Sequence, residues 1–147
     1  MDSNEYKKLK AFLDYFAKNY MNAEVVPEEQ RPIAVLNSME VKSMKTAGRA
    51  LVMAIDDCIA AIDSWSPQKI SEINTDLRRH GIISIYEVRL GYSKRLQRTL
   101  GRGSIKNLTE YYQIKGLVED MIDKSDSLSL SRLTQMLGEF ENNVKRE

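Results

Sequence analysis

The chain has very little of what metal sites, disulfides and histidine-dependent catalysis require. It contains one cysteine, Cys58, and one histidine, His80, in 147 residues. A structural zinc site needs about four nitrogen or sulfur ligands, so these two residues cannot build one. A lone cysteine also cannot form an intramolecular disulfide, which favours a reducing compartment. We therefore predict that the protein binds no metal and needs no other cofactor.

The residues around Cys58 and His80 argue against catalysis as well. Cys58 lies in an apolar helical pattern beside Asp56 and Asp57, whose charges oppose thiolate formation, so an inert core cysteine is predicted. His80 stands at the end of a predicted helix, where it complements the helix dipole. Adjacent carboxylates on a helix do not face each other, so Asp56 and Asp57 form no acid–base pair. The sequence predicts that the protein is not an enzyme.

Long apolar runs are absent too. The longest uninterrupted one, Ala50 to Ile55, is far below the roughly 20 residues that a membrane-spanning helix needs. The amino-terminal residues lack the positive and then apolar pattern of a secretory signal. With only three prolines, 42% hydrophobic residues and 29% charged residues, the composition fits one soluble domain over residues 1–147. We predict a cytoplasmic protein that does not enter membranes.

Helical periodicity is what the sequence does have. Apolar residues recur every three or four positions along nearly the whole chain, which predicts an all-α fold, a single compact bundle of about six helices. The most apolar helix, through Met44 to Trp65, is expected at the centre of the bundle. Serine and asparagine at suitable positions predict the helix starts. These starts fall at Ser3, at Asn37, Ser38 or Ser43, at Ser66, at Ser84, at Asn107, and at Ser127 or Ser129.

Two segments need separate comment. Residues Ile82 to Arg89 alternate in a way that also fits a strand, but the capping-box spacing of Ser84 and Glu87 favours a helix. That helix is predicted to continue to Leu100 and to end at the glycines of residues 101–103. Residues 22–32 contain two prolines and three glutamates, so they predict an ordered, acidic connector between helices.

Positive charge is concentrated between Arg78 and Lys106. This segment holds eight basic residues and one acidic residue, a local charge of +7, whereas the whole chain has a formal charge of +1. Helical spacing places three arginines on one edge with a fourth nearby; the residues of this basic edge are Arg89, Arg95, Arg98 and Arg102. The edge fits three roles: a solvated face, a protein-docking surface or a nucleic-acid site. The acidic remainder of the chain disfavours nucleic acid.

Negative charge forms two clusters, and either could meet a basic partner. The first cluster is Glu24, Glu28 and Glu29, and the second is Glu119, Asp120, Asp123 and Asp126. A chain with separated patches of opposite charge suits fast, electrostatically steered association with another protein.

The last third of the chain resembles small all-helical bacterial immunity proteins of contact-dependent toxin systems. The resemblance is carried by Arg102-Gly103 with Ile105, Glu110-Tyr111-Tyr112 with Ile114, and Phe140-Glu141. It implies a binding module that masks a cognate toxin domain, and a nuclease toxin would present its basic groove to one of the acidic clusters. Both clusters fit that role. The alternative is a helical regulator that binds RNA or DNA through the basic segment.

Overall fold

The computed structural model describes residues 1–121 and 127–146. Every regular element in these residues is helical, so the predicted all-α fold of packed helices is confirmed, with eight α-helices rather than six. The eight are α1 Ser3–Tyr20, α2 Pro32–Lys42, α3 Met44–Ile62, α4 Pro67–Arg79, α5 Ile85–Tyr92, α6 Lys94–Arg102, α7 Leu108–Met121 and α8 Ser127–Arg146. Two short 3-10 turns, Ala23–Val25 and Glu28–Gln30, lie between α1 and α2.

The chain divides into two compact units, Met1–Ile83 (the first unit) and Ser84–Glu147 (the second unit). The single domain over residues 1–147 stays a prediction.

Two serines account for the additional helices. Ser43 has an extended backbone; its N–H donates to the Met39 carbonyl at 2.8 Å, and its hydroxyl accepts from the Thr46 N–H at 3.3 Å. Ser93 does the same, donating to the Arg89 carbonyl and accepting from the Leu96 N–H. Each serine therefore ends one helix and caps the next. The continuous helix predicted from Ile85 to Leu100 is wrong, because it breaks at Ser93.

Most other predicted helix ends are confirmed. Ser66, Ser84 and Asn107 each accept a hydrogen bond from the backbone N–H three residues later, as N-caps do. The segment from Ile82 to Arg89 contains the start of α5 and no strand. Gly103, with φ of +77°, follows the last residue of α6 in the left-handed conformation that glycine adopts without strain. At α1 the cap is Asp2 rather than Ser3.

The core of the first unit is built around aromatic side chains. Phe16 has no exposed surface and stacks on Phe12 at 5.2 Å and on the half-buried Trp65 at 5.5 Å, between ring centroids. Helix α1 packs on α2 and α3, and α2 packs on α3. The buried face of α3 carries Leu51, Ile55 and Ile62, whereas Met44 and Met53 on the same helix are exposed. The place of α3 at the centre of the whole bundle stays a prediction.

The second unit has a mainly aliphatic core. α7 packs on α8 and α5, and its Gly116 lies directly under the ring of Tyr86 on α5, with no space for a Cβ atom. Tyr111 on α7 donates a hydrogen bond to Glu141 on α8 at 2.6 Å and packs its ring on Phe140. The buried residues of this core are Leu96, Ile105, Ile114, Leu117, Leu133 and Met136.

Candidate functional site

The backbone of residues 22–31, here called the acidic connector, is held by hydrogen bonds within the segment. Asn22 adopts the left-handed conformation that starts the first 3-10 turn, and Pro27 precedes the second. The guanidinium of Arg31 then closes the segment on itself. Its Nε donates to the Val26 carbonyl at 3.2 Å, and its Nη2 donates to the Glu24 carbonyl at 3.1 Å. The ordered connector that the prolines predict is therefore present.

The acidic side chains of this connector are available to a partner. Glu24, Glu28 and Glu29 are all exposed. Within residues 1–121 and 127–146, no hydrogen bond or ion pair engages their carboxylates. A rigid backbone that holds unpaired charges loses little backbone entropy when a partner binds. The connector thus presents a preorganised acidic surface.

The second acidic cluster is different. Asp120 is half-buried and accepts a hydrogen bond from the Ser84 hydroxyl at 3.1 Å, within the second unit. Glu119 is exposed on α7. Asp123 and Asp126 lie outside the described residues. In the described part of the chain, the first cluster is therefore the one that brings several available carboxylates together.

The basic edge is not assembled as the helical spacing suggests. Arg89 is only 3% exposed, because it shares one face of α5 with the buried Ile85 and Val88. Arg95 and Arg98 are exposed on α6, beyond the break at Ser93. Arg89 therefore does not share an exposed surface with Arg95 and Arg98.

Arg102, the fourth member of the basic edge, is used by the fold. Its Nη2 pairs with Glu110, which is 6% exposed, and its Nε donates to the Ser104 carbonyl at 3.2 Å. The same Glu110 oxygen accepts from the Lys106 N–H at 3.0 Å. A buried carboxylate needs such charge-assisted partners to offset the loss of water. Arg102 therefore holds the turn between α6 and α7.

The carboxylate of Asp76 lies in a polar cluster that no sequence pattern predicted. This carboxylate accepts hydrogen bonds from Tyr20 and, at 2.8 Å, from Tyr15, and these bonds hold the pKa of Asp76 below its usual value. The pKa of Tyr20 is raised, chiefly by burial, and that of Tyr15 by its bond to Asp76. His80 Nδ1 lies 2.9 Å from the Asp76 carbonyl, at the end of α4. The tyrosines precede Asp76 by more than 50 residues, so no local pattern marks the cluster.

The Asp76 cluster stabilises the contact between α1 and α4. Both tyrosines are held neutral while Asp76 is held charged, which is the opposite of what a tyrosinate nucleophile or a carboxylic acid catalyst needs. Its groups already satisfy one another through hydrogen bonds. We therefore assign it a structural role.

Cys58 is buried, with 1% of its surface exposed. Burial first, and the nearby Asp57 second, raise the pKa of its thiol to about 12. A thiolate is therefore scarce at neutral pH, in keeping with the inert core cysteine that the sequence predicts.

An open groove of about 1060 Å³ lies in the first unit, between the first turns of α1 and the first three turns of α3. At its edge Lys10 Nζ contacts Glu40 at 2.6 Å and Asn37 at 2.6 Å, and Tyr6 donates to Glu40 at 2.8 Å. These bonds lower the pKa of Glu40, the bond from Lys10 contributing most. The groove was missed because residues of three different helices form it.

Comparison with known proteins gives no relative. No protein-family model matches the chain, and neither a curated protein nor a solved structure matches it. In the part of the chain that the structure describes, no helix combines the length and the apolar character needed to cross a membrane.

Proposed function

We propose that this protein is an immunity-type binding module. It binds and neutralises a cognate toxin domain in the bacterial cytoplasm during contact-dependent competition, and it does so without catalysing a reaction. The acidic connector is the docking surface, and its three glutamates face a basic substrate groove on the toxin. A nuclease is the toxin class whose groove has this charge.

One observation carries the proposal. The carboxylates of Glu24, Glu28 and Glu29 are exposed and unpaired on a backbone that Arg31 holds in place. Interfaces with this kind of charge complementarity gain fast association and partner selection. By contrast, the carboxylates of Glu40, Asp76 and Glu110 all have partners inside the fold.

The test is protection of cells. A toxin domain encoded beside this protein is expressed from an inducible promoter, and the wild-type chain is expected to restore growth. The connector variant, Glu24→Gln with Glu28→Gln and Glu29→Gln, is expected to lose most of that protection at equal expression. The control variant replaces three other exposed carboxylates, which lie outside both acidic clusters, and should protect fully; its changes are Asp56→Asn, Asp57→Asn and Glu72→Gln.

Two results contradict the proposal. The first is no protection by the wild-type chain and no stable complex between the purified proteins. The second is equal protection by the wild-type, connector and control variants, which would leave an immunity role but remove the connector from it.

A further inference from the structure

The open groove of the first unit follows one face of α3. The α3 residues that line it recur with the helical repeat, from Met44 through Gly48 to Met53, and the facing wall is formed by Tyr6 and Lys7 of α1. Three turns of a helix extend over roughly 15 Å. The groove is therefore a slot of about this length that runs along α3 and faces α1, with Glu40 of α2 at its edge.

The floor of the slot is apolar and exposed. Met44 is 55% exposed and Met53 is 69% exposed, and Met1, at 57%, lies in the same groove. Single exposed apolar side chains are common, but several in one concave surface mark an interaction site. Methionine is also the side chain that adapts best to a partner's shape.

The charges available in the slot are positive. Lys7, Lys45 and Arg49 are exposed, and within the described residues none of them has an internal partner. The negative groups are already engaged, since Glu40 is bound by Lys10 and Tyr6, and Asp2 accepts the Glu5 N–H as the cap of α1. The groove thus attracts a partner that carries negative charge beside apolar side chains.

At Gly48, the middle turn of α3 has no side chain of its own to cover its backbone. A Cβ atom at this position would meet only the end of the Met1 side chain, at 3.9 Å. A partner's backbone can therefore approach α3 closely at this point.

From this geometry we infer that the groove binds an amphipathic α-helix of a protein partner, with its apolar stripe on Met44 and Met53 and its acidic flanks toward Lys7, Lys45 and Arg49. The slot has room for about three turns, the length over which positions i, i+3 or i+4, and i+7 provide anchors. A second copy docking the same face would place these cations against each other, which disfavours a symmetric dimer.

This inference is independent of the proposed toxin-binding function. The acidic connector follows the last turn of α1, whereas the groove is formed by the first turns, so the two surfaces are separated along α1 by about 20 Å. Both can be occupied at once, and either can be removed without the other.

The experiment uses the full-length chain and a labelled 18-residue peptide, with leucine at helical spacing and glutamate elsewhere, measured by fluorescence anisotropy. Saturable micromolar binding is expected. Two peptides serve as comparisons, one with lysine in place of glutamate and one with the leucines shuffled; each should bind about tenfold more weakly or worse. Equal binding of the three peptides, or no saturable binding of the acidic peptide, overturns the inference.

Single substitutions then test whether the peptide binds in the groove. Met53→Glu is expected to weaken binding about tenfold or more, since it places a charge like the peptide's own in the slot. The matched control is Val41→Glu, a residue that is 88% exposed and lies outside the groove lining, and it should leave binding unchanged. Equal effects of these two variants contradict the inference. The connector variant should bind the peptide like wild type, whatever its effect on toxin.

Other occupants give different results. If dodecanoate binds saturably, and Met53→Glu abolishes its binding while no peptide binds, the groove holds a small anionic amphiphile and the inference is wrong. If the free protein sediments as a dimer that Met53→Glu dissociates, a second copy covers the groove and the inference is also wrong. A monomeric protein that binds the acidic peptide and not dodecanoate supports the inference.

Discussion

In the first unit, the three glutamates of the acidic connector are exposed and unpaired, on a backbone held by Arg31. In the second unit, three of the charged residues predicted from the sequence to bind a partner are engaged within the fold instead. Arg89 is buried, Arg102 pairs with the buried Glu110, and Asp120 accepts a bond from Ser84. The difference shows that charge density along a sequence does not measure what a partner can reach. A charged residue that is buried or paired within the fold is less available to a partner than its place in the sequence suggests.

The largest effect on stability is expected where a charge is used internally. Replacing Arg102 with methionine leaves the carboxylate of Glu110 buried and without its cation, which should lower the free energy of unfolding by about 3 kcal/mol. Arg98→Met removes an exposed arginine four residues earlier and should change that free energy by less than about 0.5 kcal/mol. Urea denaturation followed by circular dichroism measures both. Equal effects would mean that the Arg102–Glu110 pair is not part of what stabilises the second unit.

Alanine substitutions at two glycines test how tightly the helices of each unit are packed. Gly116→Ala forces the ring of Tyr86 out of its place against α7, so we expect a loss of about 2 kcal/mol. Gly48→Ala, in the open groove of the first unit, meets only the end of Met1 and gains helix propensity, so a stabilisation of up to about 1 kcal/mol is expected. The urea midpoints should move in opposite directions. If both alanines stabilise, α5 and α7 are not as closely packed as the structure shows.

A smaller, pH-dependent effect concerns Tyr6, which donates a hydrogen bond to Glu40 at the edge of the groove. Burial, and then the hydrogen bond to Glu40, raise the pKa of Tyr6 to about 12. A pKa raised by folding means that the contribution is complete below the unfolded value of about 10 and is lost as the pH rises toward 12. Wild type should therefore lose more stability than Tyr6→Phe between pH 9 and pH 12, a range taken from these two values. Parallel urea midpoints for both proteins across that range would exclude the Tyr6–Glu40 bond as the cause.

Local patterns predicted much of the fold. The helical periodicity indicated the all-α class, and the caps at Ser66, Ser84 and Asn107 were found because a cap and its helix are adjacent in sequence. Ser43 was one of three candidate caps for α3, but the separate helix α2 before it was not predicted. The break at Ser93 was not recognised, because the apolar spacing from Ile85 to Leu100 continues through it.

The candidate site was predicted less completely. The acidic connector was identified because its glutamates and prolines are neighbours in sequence. The burial of Arg89 depends on which face of α5 packs inward, and the role of Arg102 depends on a turn that brings Glu110 to it. The groove combines residues of α1, α2 and α3. Tertiary packing produces all three features, so no local pattern could have revealed them.

The central claim is that the acidic connector docks the toxin, and its most direct test is the affinity of the purified pair by isothermal titration calorimetry. The connector variant is expected to weaken binding about 100-fold and to flatten its dependence on salt, since three interfacial charges are lost. The control variant, with the same change in net charge, should differ from wild type by less than about threefold. Equal losses in the two variants, or none in either, would contradict the account.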